Sequence, residues 1–136
     1  MKKYKFLLVA SNFYPEITLN LLKGAQKYLE INGHKFDIAY TKGSLEIPTK
    51  ISMKLSKSKY DAVVAIGCII KGKTDHYEFI SNAITMTLLE LSIQNKLPVS
   101  NSVLTCRNIK QAKERSSKKL NRAKEAVEAA ISVLQD

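Results

Sequence analysis

The sequence has few of the features that mark several large classes of protein. Its two cysteines, Cys68 and Cys106, are too few for a disulfide framework or for a four-cysteine zinc site. Its apolar runs end well before the roughly 18 residues that a membrane span needs. The apolar N-terminal run is short and no small-residue cleavage pattern follows it, which argues against a signal peptide. We therefore expect a cytoplasmic protein that has no metal site, contacts no membrane and keeps two buried, reduced thiols.

Acidic residues are also scarce. Twelve Asp and Glu residues stand against 22 Lys and Arg residues, so the formal net charge is +10. A charge of this size indicates either a solvated basic surface or an anionic partner. Because the sequence has neither an aromatic-studded strand nor a recognised nucleic-acid-binding motif, we expect a solvated face and no nucleic-acid partner.

Short apolar runs alternate with helical patterns along the whole chain. Residues 6–10, 36–40, 62–66 and 99–104 have the composition of strands, and apolar residues recur at helical spacing after each of them. We find no internal repeat, linker or low-complexity tail, so we expect one domain over residues 1–136. This alternation predicts an α/β fold in which a four-stranded parallel sheet carries helices on both faces.

The loops that follow the strands are the candidate site. Right-handed crossovers place these loops, at 11–15, 42–46, 68–76 and 105–108, on one edge of the sheet, where open α/β sheets bind ligands. The third loop contains Lys73 and Thr74 and ends at His76, which we expect in the first turn of the following helix. The free N–H groups of a helix start and the charge of Lys73 could hold a phosphate. The same pattern also fits an ordinary capped helix.

Four side chains have both a structural and a functional interpretation. His76 could transfer protons near neutral pH, or it could be structural. Phe13 could belong to the core or form a platform for a flat ring, and Glu46 could cap a helix or bind ligand donors. Arg115 could be a solvated charge or a forked phosphate ligand that reaches across a subunit boundary. We expect His34, beside the turn at Gly33, to be a surface residue.

The helical pattern from Tyr77 to Ile93 is the widest apolar surface of the chain. A helix with so much apolar surface needs partners on more than one side. In so small a domain, the pattern predicts a subunit interface.

Several motifs stand in a fixed order along nearly the whole chain. Gly43 to Pro48 reads G-x-x-E-I-P, and Gly67 to His76 reads G-x-x-I-K-G-x-T-x-H. Ser11-Asn12-Phe13 precedes them, and Leu104-Thr105 through Glu114-Arg115 follows. Together these motifs resemble the family of 6,7-dimethyl-8-ribityllumazine synthase, the penultimate enzyme of riboflavin biosynthesis.

The resemblance implies both an architecture and a reaction. It implies a flavodoxin-like three-layer sandwich that assembles as homopentamers, sometimes as larger shells, with active sites at subunit interfaces. The implied reaction condenses 5-amino-6-(D-ribitylamino)uracil with 3,4-dihydroxy-2-butanone 4-phosphate, and it gives the lumazine, phosphate and water. The partners would be these small molecules and further copies of the chain, and no cofactor is expected.

The resemblance also implies roles for individual residues. His76 would transfer protons, Lys73 and Thr74 would bind the phosphate, and Arg115 would bind it from the neighbouring subunit. A further set would hold the pyrimidine and its ribityl chain, largely through backbone groups, with Phe13 stacking on the ring: Phe13, Ser44, Leu45, Glu46, Cys68, Ile69, Ile70 and Asn101.

The sequence departs from the family pattern at several of these positions. Lys73 stands where the family commonly has alanine or an acidic residue, Asn101 where an aromatic residue is frequent, and Ser102 where glycine is frequent. The family's lysine before the last helix has two candidate counterparts here, Lys119 and Arg122. Two related functions therefore stay open: an archaeal-type riboflavin synthase, and a catalytically weak scaffold that binds flavin or lumazine.

Overall fold

The computed structural model describes residues 2–72 and 76–135. Each predicted strand and helix is present in it. The elements, in chain order, are β1 (Lys5–Ser11), α1 (Pro15–Ile31), β2 (Lys35–Thr41), a 3-10 turn (Ser44–Glu46), α2 (Ile47–Lys57), β3 (Ala62–Ile70), α3 (Tyr77–Asn95), β4 (Val99–Cys106), α4 (Ile109–Arg115) and α5 (Arg122–Leu134).

The four strands form one parallel sheet in the order β2-β1-β3-β4. This order is that of the flavodoxin-like winding, so the predicted fold class is confirmed. Alternate residues of the central strands enter two separate cores because successive side chains point to opposite faces. Phe6 and Leu8 pack with α1 and α5, whereas Leu7 and Val9 pack with α2 and α3.

Two strands are longer than the sequence analysis predicted. Residues 68–70 were expected in a loop but belong to β3, and Thr105 and Cys106 were expected in a loop but belong to β4. The two extensions support each other, because Ile69 pairs with Thr105 and Ile70 with Cys106. Pairing between distant segments set these ends.

His34 is buried, so the prediction of a surface residue was wrong. Only 5% of its surface is exposed. Its Nδ1 accepts a hydrogen bond from the Tyr4 backbone N–H at 3.0 Å, and its ring stacks on the Tyr4 ring at 5.4 Å. Gly33 turns the chain into this position after α1, with a φ of 76° that favours glycine.

A buried asparagine fixes the start of α5. Asn121 Oδ1 accepts hydrogen bonds from the backbone N–H groups of Ala123 and Lys124, and its Nδ2 donates to the Asn20 carbonyl at 2.8 Å. The absence of a side chain at Gly24 makes room for the Asn121 amide against α1. Because Asn121 caps the helix, Leu120 lies outside it and is 54% exposed.

Helix α3 buries little of its apolar surface within one chain. Its buried residues are Ile84, Leu88 and Leu91. Large apolar side chains are exposed along the rest of the helix: Phe79, Met86, Leu89 and Ile93. Within residues 2–72 and 76–135, no helix is long and apolar enough to cross a membrane.

Candidate active site

A cleft of about 200 Å³, here called the strand-end cleft, opens where β1 and β3 end. It brings together seven of the eight side chains predicted to hold a pyrimidine, and Asn101 is the exception. The lining residues are Phe13, Tyr14, Gly43, Ser44, Leu45, Glu46, Cys68, Ile69, Ile70 and Ile80.

Phe13 does not belong to the core. Its side chain is 66% exposed at the cleft. The Tyr14 ring meets it edge-on, with the ring centroids 5.1 Å apart. Burial, and secondarily the Cys68 sulfur, raises the pKa of Tyr14 above its ordinary value. Of the two interpretations of Phe13, the structure fits an accessible aromatic face.

The 3-10 turn forms the second wall. Glu46 Oε1 accepts a hydrogen bond from the Gly43 backbone N–H at 2.9 Å, which is the capping role foreseen as one alternative. Ser44 is buried and lies close to β3. A side chain at Gly67 would bring its Cβ within 2.9 Å of Ser44 Oγ, so glycine is needed for this approach.

The third wall is one edge of β3. Strand β1 pairs with β3 only as far as Ile66, whereas β4 pairs with it through Ile70. The backbone of residues 67–70 is therefore paired on the β4 side but not with β1. Such a strand edge presents N–H and C=O groups in a row, and Cys68, Ile69 and Ile70 line the cleft beside it.

His76 immediately precedes α3 and is exposed. It was predicted in the first turn, and it lies at the N-cap position instead. Its carbonyl accepts a hydrogen bond from the Ile80 N–H at 2.9 Å, so it lies about one turn from a residue that lines the cleft. Its ring centroid is 6.3 Å from that of Phe79. The predicted phosphate ligands Lys73 and Thr74 lie outside the described residues.

A second cleft of about 200 Å³, here called the edge cleft, lies along the outer strand β4. It shares no lining residue with the strand-end cleft. Its lining includes Asn101, Ser102, Arg115 and Arg122. Of the two basic candidates near α5, Arg122 lines this cleft and Lys119 does not.

Arg115 is half-buried and held by its own chain. Its Nη1 donates a hydrogen bond to the Thr105 carbonyl at 3.1 Å and lies 3.5 Å from Cys106 Sγ. The interaction with Cys68, assisted by Arg115, lowers the pKa of the Cys106 thiol to about 7. The two cysteines are adjacent, and both are free and buried, as predicted.

The two unusual residues of β4 have different surroundings. Asn101 is exposed, and its Oδ1 accepts a hydrogen bond from the Val103 N–H at 2.9 Å. Ser102 is only 3% exposed. Its Oγ has no hydrogen-bond partner among the described residues, which is costly for a buried hydroxyl.

Comparison with known proteins identifies the family. The family model for 6,7-dimethyl-8-ribityllumazine synthase matches residues 3–136. The chain belongs to this family. It is 36% identical over 135 residues to the 6,7-dimethyl-8-ribityllumazine synthase of Nitrobacter hamburgensis, and this match covers 95% of the chain and 83% of the relative. It is 35% identical over 131 residues to the enzyme of the same name from Methylobacterium radiotolerans, with coverages of 96% and 80%.

Membership in the lumazine synthase family makes the chain an enzyme of the transferase class. The motifs did not identify Tyr14 and Ile80, which also line the strand-end cleft. Tyr14 directly follows Phe13, so a second aromatic residue before Pro15 was a usable signal. Nothing local marks Ile80, because only the packing of α3 brings it to the cleft.

Proposed function

We propose that this chain condenses 5-amino-6-(D-ribitylamino)uracil with 3,4-dihydroxy-2-butanone 4-phosphate to form 6,7-dimethyl-8-ribityllumazine, phosphate and water. The strand-end cleft carries the proposal. It sets the exposed ring of Phe13 beside the edge of residues 67–70, which β1 leaves unpaired.

A pyrimidine matches this combination. Its flat face stacks on Phe13, and its ring N–H and C=O groups bond to the backbone edge of β3. Ser44, Leu45 and Glu46 enclose it from the second wall, and the ribityl chain runs along Cys68 to Ile70. Backbone groups suit this task because they hold fixed positions without the entropy cost of ordering long side chains.

The edge cleft of a neighbouring copy supplies the second half of the site. Arg115 and Arg122 line it together, and guanidinium groups bind phosphate as forked donors. Ser102 Oγ, unpartnered in the described chain, donates to the same phosphate. Asn101 meets the exposed side of the pyrimidine. The motif adds Lys73 and Thr74 from the first copy.

The surface of α3 supports an assembly of this kind. Phe79, Met86, Leu89 and Ile93 expose an apolar stripe that a single chain leaves uncovered. We propose that these stripes meet in a homopentamer, and that each active site lies where the strand-end cleft of one subunit faces the edge cleft of the next.

The chemistry demands mainly alignment. The primary amine of the pyrimidine condenses with the ketone to give an imine and releases one water. Phosphate is then eliminated, and the second nitrogen closes the ring onto the remaining carbonyl with loss of a second water. Holding two reactants together is itself a large rate effect. His76, near the cleft mouth, moves protons between the reacting atoms.

The test is to mix the purified protein with both substrates and follow lumazine fluorescence together with phosphate release. Equal amounts of lumazine and phosphate are expected. Lumazine supplied alone should give no riboflavin, whereas a riboflavin synthase would form it. Binding without turnover would identify a scaffold and overturn the proposal. Native mass measurement then tests the pentamer.

A further inference from the structure

A large cavity lies remote from both clefts. It has a volume of about 550 Å³ and lies between α1 and the turn that leads into α5. None of its lining residues lines the strand-end cleft or the edge cleft. The proposed reaction therefore makes no use of it.

Buried hydrogen bonds fix the walls of this cavity. Asn121, itself a lining residue, joins the turn to α1 through the Asn20 carbonyl and caps α5 at the same time. Ser116 Oγ donates to the Ala112 carbonyl at 2.8 Å and holds the other end of the turn. These bonds hold α1, the turn and the start of α5 in fixed positions around the cavity.

Four lysines surround the cavity. Lys23 and Lys27 lie one turn apart on α1, and Lys118 and Lys124 face them from the turn and from α5. No described lining residue is acidic, and none of these lysines forms an ion pair within residues 2–72 and 76–135. Like charges four residues apart on a helix repel each other, so a bound anion would relieve this repulsion.

The remaining lining offers an apolar and aromatic surface. Tyr28 is half-buried, and the Lys124 ammonium lies 5.9 Å from its ring centroid. Ile31 extends the same wall and is exposed. A flat ring could pack here while a charged tail remained among the lysines.

We propose that this lysine-rimmed cavity binds an organic polyphosphate, a flat ring that carries a di- or triphosphate. The four positive charges favour a multiply charged anion over a single phosphate. The cavity volume lies within the roughly 300–1,000 Å³ of small-molecule sites. The proposed reaction does not need all of the net charge of +10. Binding of this ligand would explain part of the excess.

The experiment uses ATP as the probe, in magnesium-free buffer at low salt, with binding followed by calorimetry. The assembled full-length protein should bind ATP, and Lys23→Gln/Lys27→Gln should weaken binding by about tenfold or more. Lys50→Gln/Lys54→Gln is the matched control, because it removes two charges one turn apart from α2 on the other side of the sheet. The control should bind ATP unchanged, and both variants should keep the lumazine-forming activity of the parent.

Four results would overturn the proposal. One is no ATP binding by the parent protein. A second is that both double variants weaken ATP binding equally, which would mean that ATP is attracted to the basic surface as a whole. A third is loss of ATP binding in Arg115→Ala, which would place ATP in the edge cleft. A fourth is inorganic triphosphate binding as tightly as ATP, because the ring would then contribute nothing.

Discussion

The backbone N–H of Tyr4 donates a hydrogen bond to Nδ1 of His34, 3.0 Å away, and so requires a neutral imidazole. A protonated ring has no free lone pair on that nitrogen. Burial, and secondarily Lys3, lowers the pKa of His34 from 6.5. The folded protein therefore keeps this ring neutral at pH values where the unfolded chain takes up a proton.

This relationship predicts the direction of a pH effect. The stabilising effect is fully present above about pH 6.5 and declines as the pH falls from there toward the lower folded-state pKa. Urea unfolding of the parent protein should show a loss of stability between pH 7 and pH 5. His34→Asn keeps an acceptor near the Tyr4 N–H but does not titrate there, so its loss should be smaller. Parallel pH profiles of the two proteins would contradict the prediction.

Gly24→Ala should destabilise the protein by about 1–3 kcal/mol, because the new methyl group overpacks a tight contact. The added Cβ would collide with the Asn121 amide, which cannot move without breaking the cap of α5. Gly72→Ala is the control, since a Cβ there meets no atom of the described residues within 4 Å. Thermal unfolding at one protomer concentration should separate the two variants. Equal melting temperatures would show that α1 moves away at little cost.

Ser102→Ala should have opposite effects on stability and on substrate binding. It removes a buried hydroxyl that has no partner among the described residues, so the unfolding free energy should rise by about 1 kcal/mol. If Ser102 binds the phosphate as proposed, the KM for the phosphate substrate should rise severalfold. Ser102→Thr, which keeps a hydroxyl, is the matched comparison for the kinetic effect. A destabilised alanine variant would mean that the hydroxyl already has a partner.

Arg115→Ala should selectively weaken binding of the phosphate substrate. Hydrogen bonds to charged groups are worth about 1.5–3 kcal/mol, which corresponds to a KM increase of roughly 10- to 150-fold. The KM for the pyrimidine should stay near that of the parent. Arg107→Ala, a change at an exposed arginine nearby, serves as the control. Equal loss of affinity for both substrates would refute the assigned role.

His76→Ala should slow turnover without abolishing it, because alignment of the two substrates persists in the variant. A loss of kcat of about 100-fold is the size expected for general acid–base catalysis. Native mass and melting temperature would establish that the variant is folded and assembled. Complete inactivity of a folded and assembled variant would contradict the prediction that substrate alignment alone still supports turnover.

The sequence alone predicted the order and type of the elements and the composition of the strand-end cleft. Apolar spacing is a local signal, so β1 and α1 could be predicted from a few neighbouring residues. Parallel connection then required residues such as Phe13, Glu46 and Cys68 to meet at one edge of the sheet. The motif spacing added the family.

Tertiary structure decided what depends on partners distant in the chain. The end of β3 at Ile70 depends on pairing with Cys106, and burial of His34 depends on the Tyr4 backbone. The position of Arg122 in the edge cleft depends on where Asn121 starts α5. Such contacts join residues that are distant in the chain, and the sequence around each residue does not indicate its partner. For this reason the chain's pattern predicted which residues gather at the sheet edge, but only packing revealed two separate clefts.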